Sequence, residues 1–282
     1  MKKHPRLRFL LLVLLLQGAV LVCLQSVRSL LKYHSVISLP SKQQLHQTTV
    51  ITSAPVTVIT QVPIPVIRQT PPIDVLAQFK FEDAASIGRW EEKVFKGKTS
   101  YEALKDAAGQ PYLHSTSQAS SSGLYMKVNL KIDPQLCLSW KWRARRFPQK
   151  KDPQKLADRR QDDFAARLYV IFPGSNFFNS NVIEYIWDKH LPVGTSESSP
   201  FSDRVKLVVV RSGPASPDSW SEEERNIYED YVQFFGKKPD RVLGAIGLMS
   251  DSDNTGTESE ADFGDISLKL KKNEEGGSHG EN

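Results

Sequence analysis

The residue types best suited to chemistry concentrate between Asp251 and Asp262. Asp251, Asp253, Thr255, Gly256 and Asp262 fall at the first, third, fifth, sixth and twelfth positions of a calcium-loop pattern. In such a loop, oxygen ligands converge on a hard cation and glycine allows the sharp turn. Thr255 stands where Asp or Asn is usual, and Asp262 where the pattern has a bidentate Glu. The flanking segments also read as strands instead of helices. A polar turn that hydrogen-bonds its own backbone is therefore the competing expectation.

Catalytic chemistry has less support. A glycosidase needs two carboxylates facing each other across a cleft; Asp162, Asp163, Glu184 and Asp251 are candidates, and no spacing among them selects a pair. The six histidines show no metal-ligand spacing, no serine sits in a nucleophile elbow, and no glycine-rich phosphate loop is present. Cys137, between Leu136 and Leu138, reads as a small buried hydrophobe with no activating base nearby. Cys23 belongs to the apolar N-terminal segment, so the folded part has no internal disulfide.

A ligand-binding surface is better supported. Drawn as a strand, residues 162–173 place Phe164, Ala166, Leu168, Val170 and Phe172 on one apolar face and Asp163, Arg167 and Tyr169 on the other. A sheet that packs on one side and carries hydrogen-bonding groups on the other is a place for a ligand. Lys141 and Arg143 extend that polar face, with Trp187 and Arg211 at its edge. An arginine could hold a sugar hydroxyl or carboxylate in its fork of donors. The competing reading is a structural ion-pair network under a loop or helix.

These residues need a scaffold, and the chain divides into four parts. Residues 1–32 are a signal-anchor or signal peptide, with a basic start through Arg8 and an apolar run from Phe9 that gives a membrane contact over residues 9–27. Uncleaved, this segment would make an inner-membrane protein with one span and the domain in the periplasm; cleaved, it would leave a periplasmic protein. Residues 33–74 form a Pro-, Thr- and Val-rich tether, with short pieces such as 56–59 able to dock. Residues 75–272 are the folded domain, and residues 273–282 a disordered polar tail.

Within the domain, strands are expected near 79–82, 112–117, 123–130, 136–142, 182–187, 205–211, 242–249 and 266–270. Trp140 and Trp142 fall on one face of one strand and read as core. Residues 143–163 form a long basic loop, either a solvated segment or a lid or anion-binding rim beside the sheet. One helix is expected over residues 222–235, with Ser221 and Glu224 as a capping box and Gly236 closing it. Many strands and one inserted helix predict an all-β jelly-roll sandwich. Such a fold would bring its terminal strands together, so Glu82 and Asp265 could share a calcium ion.

Charge excludes one class of partner. Of 37 basic residues, six lie in residues 1–32 with no acid among them, so the remaining 31 face 32 acids. A near-neutral body lacks the basic stripe of a nucleic-acid binder.

With these residues in view, the chain resembles the domain of unknown function family numbered 3047. The resemblance rests on 138–143, on 162–170, on 210–213, on Arg225-Asn226 with Glu229-Asp230, and on 251–256 leading to Gly264-Asp265-Ile266. It implies an exported bacterial protein and brings no activity. More distantly, Phe81-Glu82-Asp83, Trp90 and Asp265-Ile266 are similar to the ends of galactose-binding-like jelly-roll modules. In those modules the matching Glu and Asp often hold structural calcium. The expected function is a non-catalytic, membrane-tethered module for carbohydrate or another envelope polymer. The alternatives are an envelope glycan hydrolase using carboxylates of the polar face, and a protein-interaction module.

Overall fold

Apolar residues at every second position drive most of the strands in the computed structural model, which describes residues 73–175, 179–214 and 219–271. In chain order these are β1 (Ile73–Phe79), α1 (Ala84–Ile87), β2 (Glu91–Lys96), β3 (Ser100–Lys105), β4 (Pro111–Gln118), β5 (Ser121–Leu130) and β6 (Leu136–Arg146). Then come β7 (Ala166–Phe172), β8 (Asn181–Asp188), β9 (Ser196–Ser199), β10 (Ser202–Ser212), β11 (Ser221–Asn226), α2 (Ile227–Phe235), β12 (Leu243–Met249) and β13 (Glu258–Lys271). The membrane segment, the tether up to residue 72 and the tail expected from the sequence lie outside the described residues, and residues 73 and 74, expected at the end of the tether, already belong to β1. No helix among the described residues is long and apolar enough to cross a membrane.

Two sheets pack face to face as a β-sandwich. One runs β11-β6-β13-β4-β3, with β1 also paired to β13; the other runs β2-β5-β12-β7-β8-β10-β9. The first and last strands do pair, antiparallel, from Ile73↔Lys271 to Phe79↔Ile266. The β8–β10 pair is parallel, which requires a crossover, and the 189–201 segment with β9 supplies it. The core between the sheets joins Leu138, Trp140 and Trp142 of β6 to Leu168 and Val170 of β7 and to Tyr185 and Trp187 of β8. Trp140 stacks on Tyr185 with centroids 5.3 Å apart, and Trp142 meets Trp187 at 5.7 Å. Both tryptophans of β6 are therefore core, as their spacing predicts.

Three expectations are corrected. The helix starts at Ile227, not residue 222, and its N-cap is Asn226, whose side chain accepts from the Glu229 N–H at 3.1 Å. Residues 221–226 form an edge strand on β6. Their acids are matched one by one: Glu222 to Lys141, Glu223 to Arg211, Glu224 to Lys269 and Lys271. Four cations placed by β6, β10 and β13 override the local helix signal.

The basic loop is neither free nor as long as expected. β6 continues through Arg146, and Leu156 and Phe164 pack with Ile186, Leu191, Leu207 and Val209 on the outer face of the seven-stranded sheet. The Lys150 side chain is buried, its ammonium 3.1 Å from Asp188 and 3.6 Å from the centre of the Phe164 ring. Because β7 begins only at Ala166, Phe164 leaves the inner face and anchors this second cluster.

The acidic loop is shorter than its pattern. β13 starts at Glu258, so Asp262 is a strand residue and cannot close a twelve-position calcium loop. Its carboxylate is fully buried instead under Arg143, Arg145 and His114, at 2.8, 2.5 and 2.7 Å.

Candidate functional site

Arg167, on the outer face of β7, gathers the carboxylates of three other segments. It donates to Asp251 through Nε at 3.0 Å and Nη2 at 2.6 Å, and to Glu184 of β8 through Nη1 at 3.0 Å. It also donates to the Asp162 carbonyl, and its Nη1 lies 3.7 Å from the Asp162 carboxylate. Asp251 takes a further bond from the Phe164 N–H at 2.9 Å, tying the loop after β12 to the start of β7. Asp163 faces the other way: it accepts the Thr255 N–H at 2.6 Å, the Asn254 N–H at 3.2 Å and the Asn254 side-chain amide at 3.1 Å. It therefore precedes the strand and organises the 251–257 turn.

One guanidinium cannot keep three buried carboxylates ionised at once. Burial pushes Glu184 up to about 7 and Asp251 up to about 8, with Arg167 opposing in each case. Asp162 is likewise raised by burial. Asp251 holds two arginine N–H groups and a backbone N–H and Glu184 one arginine N–H, and with both carboxyls raised the two compete for a shared proton. Exposures of 2% for Arg167 and Asp251, 6% for Asp162 and 8% for Glu184 close the cluster to a ligand. Of the two readings of this face, the ion-pair network describes Arg167, while Asp163 holds the neighbouring turn through neutral N–H groups.

Beside this network the face carries an aromatic surface. Gly247 of β12 lies in register between Tyr125 of β5 and Tyr169 of β7. A Cβ at Gly247 would come within 2.6 Å of Tyr125 Cδ1, and one at Gly123 within 3.0 Å of Tyr125 Cε2. One ring edge thus rests on each glycine, and the ring lies flat against the sheet. Tyr169 packs against it with centroids 5.8 Å apart and is almost fully buried. Tyr125 itself is half-buried. Next to it, the exposed Lys127 and Glu91 pair at 2.7 Å.

Residues 88–267, more than half of the chain, match a family described as a protein of unknown function, DUF3047. The chain belongs to the DUF3047 family. No curated protein matches it. Among solved structures, this DUF3047 member is similar to the family 11 carbohydrate-binding module of the cellulosomal cellulase Lic26A-Cel5E of Clostridium thermocellum: 9% identity, 68% of this chain and 94% of that one, TM-score 0.34. It is also similar to the mannan-recognising module TmCBM27, with 8% identity, 71% and 99% coverage and TM-score 0.34. A third is the xyloglucanase domain of NopAA from Sinorhizobium fredii, with 12% identity, 64% and 93% coverage and TM-score 0.37. At these scores the likeness carries no functional argument.

The segments that carry the DUF3047 resemblance are structural for the most part. Arg225 pairs with Asp230, which accepts the buried Tyr185 hydroxyl at 2.5 Å. Trp187 is core, its indole N–H given to the Gly213 carbonyl at 2.9 Å. Arg211 donates to Glu223 at 2.7 Å. Arg143 is clamped between Asp262 and the rings of Tyr112 and Trp220, 5.0 and 4.1 Å away. Trp187 and Arg211 are therefore not ligand residues of one open face. Lys141 and Arg143 lie on the outer face of the six-stranded sheet and Arg167 and Tyr169 on that of the other, so the expected single site is split by the thickness of the sandwich.

For a cation, among the described residues the only set of three or more acidic, His or Cys side chains with ligand atoms within 4.8 Å of one another is Asp163, Asp251 and Asp253. That set contains neither Asp262, Glu82 nor Asp265. Hydrogen bonds to Arg167 and to the 254–255 backbone already occupy Asp251 and Asp163, so the donor set fits a calcium ion poorly. Glu82 is exposed, and Asp265 accepts from the Gln78 amide at 3.3 Å.

Tyr125 is the residue that sequence reasoning passed over. The alternation of 123–130 places it on the polar face, but the floor that flattens it comes partly from Gly247, more than a hundred residues away in the chain. The local signal is the Gly-x-Tyr spacing of Gly123 and Tyr125.

Proposed function

We propose that this DUF3047 member is a non-catalytic carbohydrate-binding module, held at a membrane by its N-terminal segment and displayed in the periplasm. A neutral glycan of the envelope lies on the outer face of the seven-stranded sheet and stacks on Tyr125. The carrying observation is the half-buried Tyr125 ring, laid flat over Gly123 and Gly247. A flat aromatic presents an apolar face to the C–H side of a pyranose. A neutral ligand follows from the charges, because Arg167 is consumed by carboxylates and Lys127 by Glu91. The apolar run of residues 9–27 behind four basic residues supports the tether.

Burial of Asp162, Glu184 and Asp251 around Arg167 speaks against a hydrolase on this face, which would need an accessible pair.

Affinity electrophoresis of the full chain in gels containing mixed-linkage glucan, mannan, xylan or solubilised peptidoglycan tests the proposal. Retardation by at least one neutral polysaccharide is expected, lost in Tyr125→Ala. Gly247→Ala, which touches no ligand but displaces the ring, should weaken retention about tenfold. Absence of retardation in every gel, or equal retention by Tyr125→Ala, overturns it.

A further inference from the structure

A second concave surface lies on the opposite side of the sandwich. Between Phe263 and Ile266, β13 slips register against β6; this bulge sets Gly264 and Asp265 opposite Lys141. A side chain at Gly264 would come within 3.1 Å of Lys141 Cβ and 3.4 Å of the Trp220 ring, so Gly264 gives way and Asp265 turns outward, as bulges re-aim side chains. Asp265 lines a cleft of about 350 Å³ on the outer face of the six-stranded sheet, at the small end of the range of roughly 300–1,000 Å³ for small-molecule sites.

The polar groups of this cleft are unevenly satisfied. On its floor Ser139 and Ser267 face each other in register across β6 and β13. Its flanks are ion pairs, Lys141 with Glu222 at 2.8 Å and Lys269 with Glu224 at 2.5 Å. The fourth lining acid, Glu223, is held by Arg211 at 2.7 Å. Asp265 alone among the lining acids has no cation within 4.0 Å among the described residues; its partner is the neutral Gln78 amide at 3.3 Å.

We infer that this cleft is a second binding site, separate from the Tyr125 face, and that it takes an amine-bearing sugar. The protonated amine sits on Asp265, and hydroxyls on the ring beside the amine meet Ser139 and Ser267. A carboxylate with only an amide for company gains a charge-assisted bond from an ammonium group. An acidic sugar would face four carboxylates against two lysines on the cleft wall.

The test is calorimetric titration of the full chain with three β-1,4-linked disaccharides: the glucosamine dimer, its N-acetylated form and cellobiose. The glucosamine dimer should bind at least about tenfold more tightly than the other two, and Asp265→Asn should bring all three within about twofold. Tyr125→Ala should leave this preference intact, which separates the cleft from the carbohydrate face proposed above. Melting curves of Asp265→Asn superimposing on the parent would show that the fold survives. Equal affinity for the three sugars, a preference unchanged by Asp265→Asn or abolished by Tyr125→Ala, or no heat with the glucosamine dimer overturns the inference.

Discussion

Removing the Arg167 guanidinium would leave Asp251 and Glu184 buried without a cation. Loss of one partner of a buried pair costs about 3–5 kcal/mol, mostly from the charge left behind. Arg167→Met should therefore destabilise the domain by about that much in urea unfolding, and adding Glu184→Gln should recover part of the loss because it removes one stranded carboxylate. If the single and double variants unfold at the same urea concentration, Glu184 does not share the charge of Arg167. This also bears on ligand assays: a binding defect in Arg167→Met would report a collapsed face, whereas one in Tyr125→Ala reports a lost platform.

At the scale of elements, the cap of α2 separates the local signal from the tertiary one. Asn226→Ala removes the acceptor for the Glu229 N–H and the donor to the Pro134 carbonyl, at 2.8 Å, and should cost about 1–2 kcal/mol. Ser221→Ala, which a capping box at Ser221 would make comparably costly, should change stability by less than about 0.5 kcal/mol, because Ser221 is a strand residue. The same contrast explains what was legible. β6 and the body of β7 follow from alternation because one face of each is apolar, and period two survives any context. Residues 221–226 misled because capping signals are local, while the three lysines and one arginine that hold Glu222, Glu223 and Glu224 in a strand lie on β6, β10 and β13. The twelve-position acidic pattern failed for a related reason: His114, Arg143 and Arg145 claim Asp262 from neighbouring strands, which spacing within the loop cannot reveal. Arg167 and Asp163 were legible as an important polar group, but the direction they face depends on Asp251 and Thr255, far along the chain.

For the whole molecule, the buried carboxylates set an unusual dependence of stability on pH. The Glu184 carboxyl is raised from 4.5 to about 7 by burial, against the pull of Arg167. Between those values the folded state holds a proton that the unfolded chain has released, so unfolding loses a proton and stability falls as pH rises. Below about 4.5 both states are protonated and the contribution is complete; above about 7 both are ionised and it is gone. A shift of this size is worth on the order of 3 kcal/mol. The protein should therefore melt at a higher temperature at pH 5.5 than at pH 8, the reverse of a fold held together by ionised surface carboxylates. Glu184→Gln, uncharged at every pH, should remove the Glu184 share of that slope and raise the pH 8 melting temperature toward the pH 5.5 value, the remaining slope belonging to Asp251, whose carboxyl burial raises to about 8. Calorimetric melts of both proteins at the two pH values decide the matter. A parent that is more stable at pH 8, or a slope untouched by Glu184→Gln, would mean that Arg167 keeps Glu184 ionised and that the cluster balances its charge elsewhere.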